Sequence, residues 1–186
     1  WLHYDCIEAY YGEKIFSEGY YALLGKFMTS AFSHGINTVY TPLFTPPLDT
    51  QRGGERRTVQ TVGVKATEEG YEFDFTELEK FVKFARARGA EYFELSHLAT
   101  QWGAQFCPKI MAEEHGEIKR IFGWDTPSTG EAYKSFLAAF LPRLVGRLKE
   151  WGIKDRCLLH ISDEPSGAHL PTYLKLKEFI DVYAEG

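Results

Sequence analysis

The 186-residue chain has little that would build a disulfide framework, a thiolate metal site, a phosphate cradle or a membrane span. Its three cysteines, Cys6, Cys107 and Cys157, are odd in number and show no CxxC or Cys/His ligand spacing, so they read as small buried hydrophobes. No apolar run approaches the roughly 18 residues that a spanning helix needs, which argues against a membrane segment. Glycine patterns of the GxGxxG type are missing, and with them the usual dinucleotide grip. There is no basic stripe either: 21 Lys and Arg are scattered among 26 acids for a net charge of -5, and nucleic acid is not an expected partner. No leader of secretory type opens the sequence, and an extracellular, periplasmic or cytoplasmic address stays open.

What is present is the composition of one folded domain, 44% hydrophobic and 25% charged. Aromatic residues are plentiful, with 14 Phe and 11 Tyr. Aromatics suit sugar faces, but most Phe and Tyr of any domain form its core.

Along the chain one unit recurs four times: a short apolar strand, a loop, an amphipathic helix, then the next strand. The expected strands are Trp1 to Cys6, Ile36 to Phe44, Glu91 to Leu98, and Cys157 to Ser162. Helical periodicity follows each, through Leu23, Leu24, Phe27, Met28, Ala31 and Phe32, through Leu78, Phe81, Val82, Phe84 and Ala85, through Phe136 to Leu148, and through Tyr173 to Tyr183. Gly35 is placed as a left-handed cap of the first helix. The loops after strands two and three are long. Each reads as carrying a β-hairpin, Thr58 to Lys65 with Tyr71 to Phe75, and Lys109 to Ala112 with Glu117 to Phe122.

Alternating strands and helices predict an α/β fold with parallel strands, because a crossover must return the chain to the same end of the sheet. The long, decorated loops and the missing phosphate motif favour a partial (β/α)8 TIM-type barrel of about four βα units over an open doubly wound sheet. Eight strands close such a barrel, in typically about 250 residues. Residues 1–186 therefore read as the N-terminal half of a barrel catalytic domain, with the remaining half expected from further sequence.

In that fold, chemistry gathers where strands end. The residues there are His3, Tyr4 and Asp5; Tyr40 and Thr45; His97, Gln101 and Trp102; and His160 through Pro165, which includes Asp163 and Glu164. Ionising two adjacent acids sets like charges within roughly 6 Å, a repulsion of about 3 kcal/mol at an effective dielectric near 20, or about two pKa units. One carboxyl then stays protonated near neutral pH, and a protonated carboxyl beside an ionised one suits glycosidic bond cleavage. The same Asp-Glu-Pro run also makes an ordinary surface turn ahead of a helix.

The run Cys157 to Pro165, with His160, Ser162, Asp163, Glu164 and Pro165, resembles the catalytic strand of glycoside hydrolase family 123. Trp1 to Tyr11 is similar to that domain's opening, His34 to Thr50 (HGINTVYTPLFTPPLDT) to its second strand and loop, and Phe122, Gly123 and Trp124 to its third loop. The resemblance spans nearly the whole chain and the first half of the family's barrel. It implies an N-acetyl-β-galactosaminidase-like enzyme that cleaves β-linked N-acetylhexosamine with retention by substrate assistance, with no cofactor and a glycan as partner. By the same carry-over, Asp163 orients the substrate's acetamido group, while Glu164 protonates the leaving oxygen and later activates water.

Trp102 and Trp124 are candidates for a stacking floor, and His97, Tyr40, Asp5 and His3 for contacts to sugar hydroxyls. A buried His satisfied by backbone is the alternative for His3 and His160. Arg52, Arg56 and Arg57 read as a solvated loop face or as a reach toward the carboxylates. No metal is expected: His3 with Asp5, or His97 or His160 with Asp163, lack HxH or HExxH spacing. The competing function is a catalytically inactive carbohydrate-binding or scaffold module of the same fold. The isolated fragment is expected to be inactive.

Overall fold

In a computed structural model, the described residues are 2–184 without Asp49, Arg52 and Trp102. They run as helices α1 (Asp5–Tyr11) and α2 (Glu18–Ser33), strand β1 (Thr38–Thr41), a hairpin of β2 (Gly63–Thr67) and β3 (Gly70–Asp74), and helix α3 (Thr76–Arg86). Then come strand β4 (Tyr92–Leu95), a hairpin of β5 (Ile110–Glu114) and β6 (Glu117–Phe122), helix α4 (Glu131–Glu150), strand β7 (Cys157–Leu159) and helix α5 (Leu170–Ala184).

Local chemistry sets these boundaries. The Ser17 hydroxyl accepts the Tyr20 amide at 3.2 Å and caps α2, whose far end is turned by Gly35 at φ +89°, as its glycine suggested. Asp74 accepts from both the amide and the hydroxyl of Thr76, which starts α3. Leu78, Phe81, Val82 and Ala85 then repeat at three and four to give α3 its buried face.

Strands two, three and four of the sequence reading become β1, β4 and β7, parallel and in the order β1-β4-β7. The register pairs Tyr40 with Glu94 and Glu94 with Leu158. The first strand does not form. Trp1 lies outside the described residues, Leu2 and His3 pair with no strand, and Asp5–Tyr11 is helical. Tyr4 and Ile7 are the buried residues of this stretch, and a spacing of three suits one face of a helix where a strand would alternate by two. Among the described residues the parallel sheet thus has three strands and not four.

Both hairpins form, with a tighter span for the first. Before Gly63 the chain lies on the loop after β1: the amides of Thr61 and Val62 both donate to the Leu43 carbonyl at 3.2 Å. The Gln60 side chain meanwhile pairs with the Met111 backbone at 2.8 and 2.9 Å, doing what a strand residue would do. The two excursions, separate in sequence, join through a parallel contact of Lys65 with Glu113 into one sheet of order β3-β2-β5-β6.

Helix α4 packs on this second sheet and on the loop after β1. The Phe136 ring meets Phe44 at 5.6 Å, Tyr71 at 5.0 Å, Phe73 at 5.6 Å and Phe122 at 5.3 Å, with Tyr133 and Phe140 stacked along the same helix. Much of the aromatic excess is therefore core. No helix among the described residues is long and apolar enough to cross a membrane.

Phe136 is fully buried at the centre of this cluster. Phe136→Ala should cost about 3–5 kcal/mol of unfolding free energy, read from denaturant midpoints at unchanged m-value. A loss under about 1 kcal/mol would mean that α4, the second sheet and the loop after β1 do not share this core.

Candidate active site

Because β1, β4 and β7 run the same way, the residues beyond their C-terminal ends collect on one edge, where ligands of parallel sheets bind. There residues 160–163 hang on residues 97–101 almost one by one. His97 Nε2 and His160 Nδ1 meet at 2.9 Å, and the Ala99 amide donates to the Ile161 carbonyl at 2.9 Å. The buried Ser162 hydroxyl donates to the Thr100 carbonyl at 2.7 Å, and Gln101 Nε2 donates to Asp163 Oδ2 at 3.2 Å.

Gln101 Nε2 also lies 3.4 Å from Glu164 Oε2, so a single amide nitrogen faces both carboxylates. Glu164 itself sits at φ +46°, a left-handed conformation that costs a residue with a Cβ about 1 kcal/mol. Backbone strain of this kind gathers at functional turns. Asp163 is half-buried and Glu164 exposed. Burial, and then the charge of Glu164, hold the Asp163 carboxyl above its ordinary value of 3.8, while a backbone hydrogen bond from Glu164 and the nearby His160 pull the other way.

The remaining candidates fall into two groups around this pair. Tyr40 and His97 are buried side by side, with the Tyr40 hydroxyl 3.0 Å from His97 Nδ1, so both His97 ring nitrogens are engaged inside the chain. Burial and the neighbouring His160 push His97 down to about 3, and burial drives the Tyr40 phenol well upward. Tyr40 is also within electrostatic reach of Glu94, Asp163 and Arg56.

Asp5 and His3 form the second group. Asp5 starts α1 and is clasped by Arg56, whose Nε and Nη2 reach its two oxygens at 3.1 and 2.8 Å. Arg56 Nη2 also meets His3 Nδ1 at 3.2 Å, and its Nη1 donates to the Leu48 carbonyl at 2.5 Å. Arg56 thus ties the N-terminal segment to the loop after β1 and is not a solvated face, whereas the more exposed Arg57 pairs with Glu8 at 3.2 Å.

Trp124 departs from the sequence reading. Its ring is fully buried, both faces are covered by protein, and its Nε1 has no hydrogen-bond partner, so it packs the loop and offers no sugar platform. Trp102 lies outside the described residues. Beside it, Gly103 at φ +118° allows the turn at Gly167–His169 to close over the loop, since a Cβ there would stand 2.4 Å from the His169 ring.

Two polar groups at this edge escaped the sequence reading. Gln101 stood out only as a polar residue near a strand end, and Glu94 not at all, although an acid inside the strand Tyr-Phe-Glu-Leu is itself a signal. Glu94, His97 and His160 bring one donor atom each within 4.8 Å and, among the described residues, are a group whose residue types could hold a metal ion. Hollows of about 460 and 520 Å³ open elsewhere, the first beside Cys6, Tyr10, Tyr11 and Phe27, the second on β2 and β5. The acid pair stands on the rim of the sheet.

The sequence model described as glycoside hydrolase 123, catalytic domain, matches residues 1–186. Among solved structures the chain is similar to a family 123 glycoside hydrolase from Clostridium perfringens, studied for the details of glycolipid glycan hydrolysis, at a TM-score of 0.70 and 16% identity. That superposition covers 98% of this chain and 32% of the other, so the chain spans about a third of its neighbour's length. No curated protein matches it.

Two pH effects follow from the site. A His lowered to about 3 adds stability that is whole above its ordinary 6.5 and lost as the pH falls from 6.5 toward 3. Unfolding free energy should drop by on the order of a few kcal/mol over that range, and His97→Gln should flatten that part of the curve. Asp163, being raised, works in the opposite sense: its contribution is whole below 3.8 and lost as the pH rises through its folded value. Asp163→Asn should therefore raise the melting temperature at neutral pH and leave it unchanged near or below about pH 3.

Proposed function

The chain belongs to the glycoside hydrolase 123 family, through its catalytic domain, and from that premise we propose that it is the first half of a (β/α) barrel glycosidase with Asp163 and Glu164 at its centre. The observation that carries this reading is the shared grip of Gln101 on two adjacent carboxyl groups. The outer strands β1 and β7 of the parallel sheet each pair on one side only among the described residues, as strands awaiting neighbours do.

The substrate is a glycan ending in β-linked N-acetylhexosamine, and galactosamine is the sugar that the resemblance implies. Asp163 accepts a hydrogen bond from the acetamido N–H and steadies the positive charge that grows as the acetamido oxygen attacks the anomeric carbon. Glu164 gives its proton to the departing glycosidic oxygen, and an oxazolinium forms with inversion. Glu164, now a carboxylate, takes a proton from water, which attacks the same carbon and restores the configuration. Neighbouring positions suit this division of labour, because no enzyme nucleophile has to stand opposite the acid across the sugar ring.

The second reading, an inactive carbohydrate-binding or scaffold module of the same fold, rests on the exposure of Glu164 and on the larger hollows opening elsewhere. The two part on one assay. The full-length protein should release chromophore from an aryl N-acetyl-β-galactosaminide or glucosaminide, and Glu164→Gln should lower kcat by about 10²–10⁴. A thiazoline mimic of the cyclic intermediate should inhibit, and chelators should not. Retained turnover in both Glu164→Gln and Asp163→Asn would end the assignment of roles. Residues 1–186 alone should show little or no turnover, since this reading puts part of the sugar pocket on the second half of a barrel.

A further inference from the structure

Beneath the acid pair lies a chain of polar groups that crosses all three parallel strands. His160 Nδ1 is 2.9 Å from Glu94 Oε1 and 2.9 Å from His97 Nε2, and His97 Nδ1 is 3.0 Å from the Tyr40 hydroxyl. A carboxylate oxygen only accepts, so the proton between Glu94 and His160 belongs to His160 Nδ1. Two N–H groups cannot face one another, so His97 Nε2 shares that same proton as an acceptor. The His97 proton then sits on Nδ1 and is donated to the Tyr40 oxygen, which also accepts the His97 backbone amide at 3.4 Å. Both tautomers follow from one carboxylate.

The donor set, a carboxylate with two imidazoles, also suits zinc. Tetrahedral zinc with bonds of roughly 2.0–2.1 Å would hold its ligand atoms about 3.3 Å apart, however, beyond both 2.9 Å contacts. Shared protons fit these distances better.

We propose that Glu94, His160, His97 and Tyr40 form a hydrogen-bonded relay that locks His160 in its Nδ1–H tautomer and makes Glu94 and His160 positioning residues for Asp163. The relay is the first rung of the ladder that continues through Ala99 with Ile161, Thr100 with Ser162, and Gln101 with Asp163. Rotating the His160 ring would release that rung and let the turn carrying both acids drift. A carboxylate that orients an imidazole by its Nδ1–H is a known catalytic device, and a displacement near 1 Å at a reacting group costs about 10²-fold in rate. Glu94 raises and His160 lowers the Asp163 carboxyl, in keeping with their closeness to it. The positioning role rests on the glycosidase reading, whereas the tautomer does not.

The test uses the full-length protein and ¹⁵N NMR of its histidine side chains, with Glu94→Gln and Glu94→Leu. The wild type should show His160 protonated at Nδ1. Glu94→Gln presents an NH2 donor as well as an oxygen to the ring, so it should weaken the Nδ1–H preference and lower kcat with KM changed far less. Glu94→Leu should lose the tautomer preference and lower kcat on the aryl glycoside by about 10–100-fold, with KM changed far less. A purely structural Glu94 would lower the melting temperature without moving the tautomer or separating kcat from KM. Protonation of wild-type His160 at Nε2, or wild-type kcat in Glu94→Leu, would overturn the relay. Stoichiometric zinc binding that abolishes the Nδ1–H signal would overturn it in favour of a metal centre. If Glu94→Leu does not fold, the wild-type spectrum and Glu94→Gln still decide. If the wild type cleaves no glycoside, the glycosidase reading fails on its own while the spectra judge the relay.

Discussion

Parallel pairing of β4 with β7 sets Glu94 beside Leu158 and Leu95 beside Leu159, and the polar edge of the molecule follows from that register. Just beyond the paired residues His97 and His160 leave the sheet close together, and their rings meet 4.4 Å apart. A slip of one residue would turn every side chain of β7 to the opposite face, parting His160 from Glu94 and Asp163 from Gln101. Main-chain hydrogen bonds thus decide which acids and which imidazoles become neighbours.

That register is held from a distance. The Tyr133 hydroxyl donates to the Leu98 carbonyl at 2.6 Å, so the aromatic helix α4 reaches into the loop that carries Gln101. On the other side, the Tyr4 hydroxyl donates to the Tyr40 carbonyl and Arg56 clasps Asp5, binding the N-terminal segment and the loop after β1 to the same edge. The long excursions serve this end as well. Joined into a second sheet, they give α4 a second apolar surface and keep the loops after β1 and β4 short of freedom at their bases. Rigid support is what two adjacent carboxyl groups need if their geometry is to be held.

Elements with strong periodicity were legible without coordinates. The strands β1, β4 and β7 lie within segments marked by apolar spacing or turn residues, and the helices α2, α3 and α4 and both hairpins overlap such segments with ends shifted by a few residues. The opening strand was not, because Leu2, Tyr4 and Ile7 fit a short apolar strand as well as a helix turn, and only burial tells the two apart. Trp124 shows the same ambiguity, for a loop tryptophan looks alike in sequence whether it faces sugar or core, and here the core takes it. Gln101 and Glu94 were hidden for another reason: their roles are set by partners 62 to 66 positions away, a separation no local pattern encodes.

By itself the amino-acid sequence determined the kind of fold and where its strand ends collect: alternating units require parallel strands, parallel strands put their ends on one edge, and Asp163 and Glu164 stand at such an end. The tertiary structure alone decided how those acids are held, since the Gln101 bridge, the strained Glu164 backbone and the imidazole contacts exist only once β4 and β7 lie side by side. The physical reason is range. Periodicity and capping act over a few residues and can be read in order along the chain, whereas hydrogen-bond geometry and desolvation depend on which distant groups folding brings within about 3 Å.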